Sequence, residues 1–217
     1  MKHLHGYAAP AQTEGALIRW ARVYDLITDV LTFGQAKLFR NLTIELTLLK
    51  PGESILDIGC GTGGVTIPAK QRIGSGGKAV GIDPVPGMIA VAQKKAQRRG
   101  LDIDFRVGVI EALPFPEASF DVVTASLMMH HLPERLRAQG AAEIYRVLKP
   151  GGRLLVADLI RPKSSAGLSA FLIVLVHHGW PFDGEDLRGL LMGAGFREAV
   201  QLDQRFSAVG FVRAAKG

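Results

Sequence analysis

Leu56-Asp57-Ile58-Gly59-Cys60-Gly61-Thr62-Gly63-Gly64 is the stretch whose reading decides the fold. It closes a short apolar run, Ser54 to Ile58, with the length of a buried strand, and it opens a helical stretch, Val65 to Arg72. A glycine-rich turn between a strand and a helix lets a ligand lie close against the backbone. The helix N-terminus behind it offers free N–H groups to an anion.

The same alternation continues outward. Lys78 to Ile82 reads as a strand, Val85 to Arg99 as a helix, and Ile103 to Val107 and Phe120 to Ala125 as strands. Pro133 to Leu148 follows as a helix, ended by Pro150-Gly151-Gly152, and Arg153 to Ala157 as a fifth strand. Strands and helices alternating at this spacing demand crossover connections, and hence a parallel sheet. The C-terminal part differs: a helix over Asp183 to Met192 stops at Gly193-Ala194-Gly195, and Val200 to Phe206 and Ala208 to Arg213 flank Ser207. So short a connection makes a hairpin, so this pair is antiparallel. The expected fold is α/β, a doubly wound Rossmann-like sheet, mostly parallel with an antiparallel C-terminal hairpin. Before it, apolar residues recur at three- and four-residue steps from Leu17 to Leu31, and a second helix runs from a break near Gly34 to Leu49. We therefore expect two parts: 1–50 as an N-terminal helical cap over the active site, and 51–217 as the domain that holds the ligand.

Composition narrows the classes. The 217 residues are 47% hydrophobic, enough for one large core. One cysteine, Cys60, excludes an internal disulfide and a zinc–cysteine site, and no cluster has metal-ligand spacing. The net charge of +6 favours anionic partners, although Lys94, Lys95, Arg98 and Arg99 sit at the spacing of a solvated helix face. The first 15 residues lack an apolar signal core, and the longest apolar run, Leu168 to Val176, is far short of the ~20 residues that cross a bilayer. The expectation is a cytoplasmic protein, with peripheral membrane contact left open by the basic charge and by the apolar segment that continues to Trp180 and Phe182.

Gly59, Gly61 and Gly64 satisfy the dinucleotide fingerprint, and Asp83 ends the next strand at the acidic position, so a nicotinamide oxidoreductase is one reading. Asp57 opposes it, because a carboxylate two residues before the first glycine repels a pyrophosphate. The ammonium and sulfonium of S-adenosylmethionine (SAM) would be attracted there. Asp83 suits either ligand, since a carboxylate at that strand end can accept both ribose hydroxyls. Each aspartate taken alone would also serve as a turn residue. Together, at the carboxyl ends of neighbouring strands, they read as one site. Cys60 is read as a small loop residue rather than a nucleophile.

Four motifs in order resemble the class I SAM-dependent methyltransferases: Leu56 to Gly64; Gly81-Ile82-Asp83 with the helix carrying Met88; Phe120-Asp121-Val122-Val123; and Arg146 to Leu154. Tyr24-Asp25-Leu26, Thr32-Phe33-Gly34, Glu111 to Pro116 and Ala194-Gly195-Phe196 are similar to the ubiquinone/menaquinone C-methyltransferases within that class. The chain departs from them at Ala36-Lys37, at Met128-Met129-His130-His131-Leu132, in a shorter insert after strand five, and at Val109, which stands where relatives carry an acid for the adenine amino group. The resemblance implies SAM as cofactor, held by Asp57, Gly59, Cys60, Gly61 and Gly63, then Asp83, Pro84 and Met88, then Val109, Ile110, Glu111 and Ser126. It implies a quinone-like acceptor, and the apolar segment from Leu168 to Val176 with Trp180 and Phe182, taken with the basic charge, favours a small, apolar or lipid-like one: quinone-like, phenolic or a phospholipid headgroup.

Methyl transfer from a sulfonium is an in-line displacement that needs alignment more than a triad. A base helps if the acceptor is a phenol or carbon acid. His130 and His131, after strand four, and Tyr24 are the candidates, each with a plain structural alternative as helix cap or core residue; His177 and His178 rank below them. An RNA or other macromolecular methyltransferase is the competing reading, and a non-catalytic SAM-binding subunit another. DNA is not expected as a partner: the chain lacks the Asn-Pro-Pro-aromatic motif of base amino methylation. The oligomeric state is not read.

Overall fold

The computed structural model describes residues 13–15, 17, 21, 35–160, 184–206 and 209–217. Tyr24, the run Leu168 to Val176, Trp180, Phe182, His177 and His178 lie outside the described residues.

One seven-stranded sheet organises the chain, in the order β3-β2-β1-β4-β5-β7-β6. The strands are β1 Ser54–Ile58, β2 Lys78–Asp83, β3 Asp104–Val107, β4 Phe120–Ser126, β5 Leu148–Leu159, β6 Glu198–Phe206 and β7 Val209–Ala215. The helices are α1 Ala36–Leu46, α2 Thr66–Ile73, α3 Pro86–Arg98, α4 Glu134–Val147 and α5 Gly184–Gly193. β1 pairs in parallel with β2 and β4, β2 with β3, and β4 with β5. β7 is antiparallel to both β5 and β6, so β6 points the same way as the body of the sheet and only β7 is reversed. The fifth strand is longer than expected, because Leu148 already pairs with Phe120 before the register shifts around the Pro150-Gly151-Gly152 turn. α1 ends at Leu46, short of Leu49, and the chain turns through Leu48 at φ 55 before Pro51-Gly52.

The strand residues point alternately to the two faces, and both faces are covered, as a parallel sheet requires. Ile55, Ala79 and Val122 pack against Ile44 of α1 and Ala69 and Ile73 of α2. Ile67 of α2, Ile89 and Ala92 of α3 and Phe105 of β3 complete that side. On the opposite face Leu56, Val80, Val123 and Leu154 meet Leu136 and Ile144 of α4 and Leu187 and Leu191 of α5. α3 has Pro86 in its first turn, where a missing N–H costs nothing.

The chain runs outward from β1 to β3, then crosses back to place β4 on the other side of β1. Beyond the carboxyl ends of β1 and β4 the connections diverge and leave a crevice, the usual ligand position in an open α/β sheet.

Candidate active site

A cleft occupies that crevice. It encloses about 730 Å³, with open solvent at its mouth included, a size that suits a nucleoside-sized ligand. Its floor is the turn after β1. Gly59 has φ +66, and a Cβ there would stand 2.7 Å from Cβ of Met128, so this position accepts only glycine. Gly61 has φ +52, and a Cβ added to it meets nothing within 4 Å: the backbone lies bare to the space above.

Asp83, at the end of β2, is 7% exposed and lines the cleft. Its Oδ2 accepts the Gly61 N–H at 3.0 Å and its Oδ1 the Val85 N–H at 2.9 Å. One carboxylate thus holds both the glycine turn and the entry to α3, and burial raises its pKa. Each oxygen keeps a further lone pair for a ligand hydroxyl. Pro84 and Met88 line the same wall.

Asp57 sits one layer deeper and is absent from the cleft wall. It is 1% exposed; Thr66 donates its hydroxyl to Oδ2 at 2.6 Å and Thr124 donates to Oδ1 at 2.8 Å. Burial pushes its carboxyl up to about 6, against the lowering effect of those two hydroxyls. It ties β1 to β4 and to the start of α2 directly beneath the glycine turn. Cys60 turns inward beside Gly81 and Phe105, and burial drives its thiol well above its ordinary range, which removes it as a nucleophile. Gly63 packs over Ile67 and Phe105 rather than facing the cleft.

After β3, Val109, Ile110 and Glu111 form the third wall. Oε2 of Glu111 is buried with no hydrogen-bond partner in the protein. An unsatisfied carboxylate oxygen is costly, and here it borders a cleft where a ligand N–H would satisfy it.

The fourth wall comes from β4. Ser126 and His131 line it, as do Leu127 and Met128, which sequence reasoning passed over. Leu127 has φ +50, an uncommon conformation for a bulky residue, and its N–H is held by the Ala157 carbonyl at 2.8 Å. The turn Met129–His131 follows. His130 does not line the cleft; its ring is fully buried against Asp158. Thr13, Gly15 and Leu17 reach the mouth, and Glu14 pairs with Arg135 at the start of α4. Their sequence carries no motif, so only tertiary placement reveals them.

The cleft's charge is one-sided. Asp83 and Glu111 line it, Asp57 lies beneath, and no Lys or Arg is among the described lining residues. A pyrophosphate would be repelled there, whereas a ligand bearing cationic groups and an adenosine is complemented by every acceptor present. Among the described residues no group of three or more His, Cys, Asp or Glu is placed to hold a metal ion, and no helix is long and apolar enough to cross a membrane.

These features define a class, and comparison with known proteins agrees. Residues 55–152 match the methyltransferase domain family. The demethylmenaquinone methyltransferase of Thermus thermophilus is 39% identical over 143 residues, 66% of this chain and 64% of that one. The 2-phytyl-1,4-naphtoquinone methyltransferase of Synechococcus elongatus is 32% identical over 158 residues, 72% of this chain and 67% of that one. A SAM-dependent methyltransferase structure from Aquifex aeolicus superposes with a TM-score of 0.68 at 22% identity, over 84% of this chain and 93% of that one, a likeness of fold. The chain belongs to the class I SAM-dependent methyltransferases, near the group that includes the ubiquinone/menaquinone C-methyltransferases. It spans 64% of the length of the Thermus relative.

Proposed function

We propose that the protein transfers a methyl group from SAM to a reduced quinone or a similar hydroxylated aromatic acceptor. The acidic, bare-backboned cleft at the β1/β4 switch point carries the cofactor half of this reading. The acceptor half rests on the likeness to the two naphthoquinone-type methyltransferases.

The bound group supplies an electrophilic methyl on a cationic sulfur. The chain's part is to orient and to exclude water. Gly59 and Gly61 give the backbone against which the amino-acid end lies. Asp83 accepts from the ribose hydroxyls. Glu111 accepts from the base amino group, two residues after the position that Val109 occupies. Ser126 and His131 border the space left for the acceptor, next to Met128. We place the protein in the cytoplasm and at membrane surfaces, where such an acceptor resides; the net charge of +6 supports contact with an anionic surface.

The test is methyl transfer from isotopically labelled SAM to chemically reduced demethylmenaquinone, with a phosphatidylethanolamine vesicle and bulk RNA as parallel acceptors, read by mass spectrometry. Label in the naphthoquinone ring supports the reading. Label in lipid or RNA alone replaces the acceptor, and label nowhere, in protein that binds the donor, rejects the quinone assignment.

A further inference from the structure

Two stretches singled out by the sequence, Glu111 to Pro116 and Arg146 to Leu154, meet in space, and of the two only the first reaches the cleft, through Glu111. Arg146 stands in the last turn of α4. Its Nη1 donates to the Phe115 carbonyl at 2.7 Å and its Nη2 to the Leu113 carbonyl at 3.0 Å. Glu143, one turn earlier, holds the guanidinium at two points, Nε to Oε1 at 2.6 Å and Nη2 to Oε2 at 2.7 Å. The same Oε2 accepts the Leu113 N–H at 2.9 Å. A further turn back, Gln139 donates its Nε2 to the Glu111 carbonyl at 2.9 Å. Positions 139, 143 and 146 are four and three residues apart, so one face of α4 carries all three. Gly140 adjoins that face beneath Ile110, a cleft-lining residue, and a Cβ there would come within 2.8 Å of its Cγ1 and Cδ1.

Stability alone does not call for these residues. Glycine inside a helix is poorer than alanine, so its presence within α4 marks the close approach of the Ile110–Ala112 turn. The Arg146 and Glu143 side chains are 35% and 22% exposed, a setting in which an ion pair contributes little to folding. The hydrogen bond from Arg146 holds the Glu143 carboxyl below its ordinary range, so the pair is charged at neutral pH. What it fixes is a loop short of its own donors. Pro114 and Pro116 have no N–H, and the Leu113 N–H and the Leu113 and Phe115 carbonyls all find side chains of α4. At the cleft end of the same loop, Oε2 of Glu111 is buried with no hydrogen-bond partner in the protein.

We infer that Arg146, oriented by Glu143, and Gly140 are positioning residues that set base specificity: they seat the segment from Ile110 to Phe115 on α4 so that Glu111 meets the amino group of an adenine. This rests on the cofactor reading above and deepens it, because the selectivity for a purine with an exocyclic amino group is set from α4, outside the cleft. Loss of the guanidinium frees two carbonyls and lets Glu111 shift off the amino group. A side chain at position 140 drives Ile110 toward the space it lines and narrows the slot for any purine. The two changes therefore leave different marks on ligand binding.

The test is calorimetric titration of the full chain without a methyl acceptor, so the acceptor's identity does not enter. The probes are S-adenosylhomocysteine and its deamino analogue, in which hydrogen replaces the amino group of the base. The parent should prefer the first about tenfold, the effect of one charge-assisted hydrogen bond. Arg146→Gln, which reaches one carbonyl at most, should bring that preference within about twofold while binding the deamino analogue nearly as the parent does. A role in stability alone would weaken both ligands together and keep the preference, and that result overturns the assignment of Arg146. Gly140→Ala should weaken both ligands about tenfold through overpacking against Ile110, in protein that still melts cooperatively. Should Arg146→Gln not fold, Gly140→Ala decides: full affinity for both ligands would show that the wall is not seated on α4 and overturn the inference. A parent that binds both ligands alike removes the base contact from Glu111, and this inference with it, but leaves methyl transfer standing. A parent that binds neither strikes the cofactor reading itself.

Discussion

Asp57 and Asp158 are buried to the same degree at the carboxyl edge of one sheet, yet their acidities move in opposite directions. Asp57 faces two threonine hydroxyls and, among the described residues, no cation that lowers it, and its carboxyl rises to about 6. Asp158 faces His130, and its carboxyl falls. Burial is common to both, so the partner decides. The β1–β3 half of the site is a neutral-donor scaffold under a glycine turn, ready to gain a cationic ligand. The β4–β5 half already supplies its buried carboxylate with a partner, the His130 ring. The two halves touch where Met128 lies over Gly59.

Gly59→Ala strikes that contact and should have the largest effect. Left-handed backbone strain together with the overlap on Met128 should destabilise the fold by about 4 kcal/mol and abolish S-adenosylhomocysteine binding. Urea denaturation and calorimetry read the two. Undiminished binding would mean the halves are not coupled through this turn.

Asp57→Asn sharpens the contrast in acidity. A carboxyl raised in the folded chain gives stability that is fully present below pH ~4 and is lost as pH rises through about 6. Wild type should therefore lose on the order of 3 kcal/mol relative to Asp57→Asn between pH 4 and 7. Parallel stability curves would mean that Asp57 is solvated like an ordinary carboxylate.

Glu111→Gln is the smallest change. It removes the charge from the buried Oε2, and S-adenosylhomocysteine affinity should fall about tenfold, the value of one charge-assisted hydrogen bond, with folding stability unchanged or raised. An unaltered affinity would remove Glu111 from the ligand's contacts.

The sheet and most of its helices were readable because buried parallel strands form short apolar runs and their crossovers end in Pro and Gly; Ser54–Ile58 and the terminal hairpin fall where the spacing placed them. The positions of Asp57 and Asp83 were equally plain, but their directions were not. Alternation along β1 turns residue 57 toward α2, and its threonine partners come from nine and 67 residues away. Asp158 carries no motif. It becomes visible only through the β4–β5 register, where Ser126 pairs with Ala157 and the next residue meets His130 28 positions back. Contacts between strands distant in sequence are set by packing, which local patterns do not encode.

The central claim is that the acidic cleft holds an adenosyl sulfur compound with an ammonium group. Calorimetric titration of the full chain with S-adenosylhomocysteine and, separately, with NADH tests it most directly. Micromolar binding of the first at one site per chain and none of the second is the expected result. Binding of NADH with no response to S-adenosylhomocysteine would contradict it.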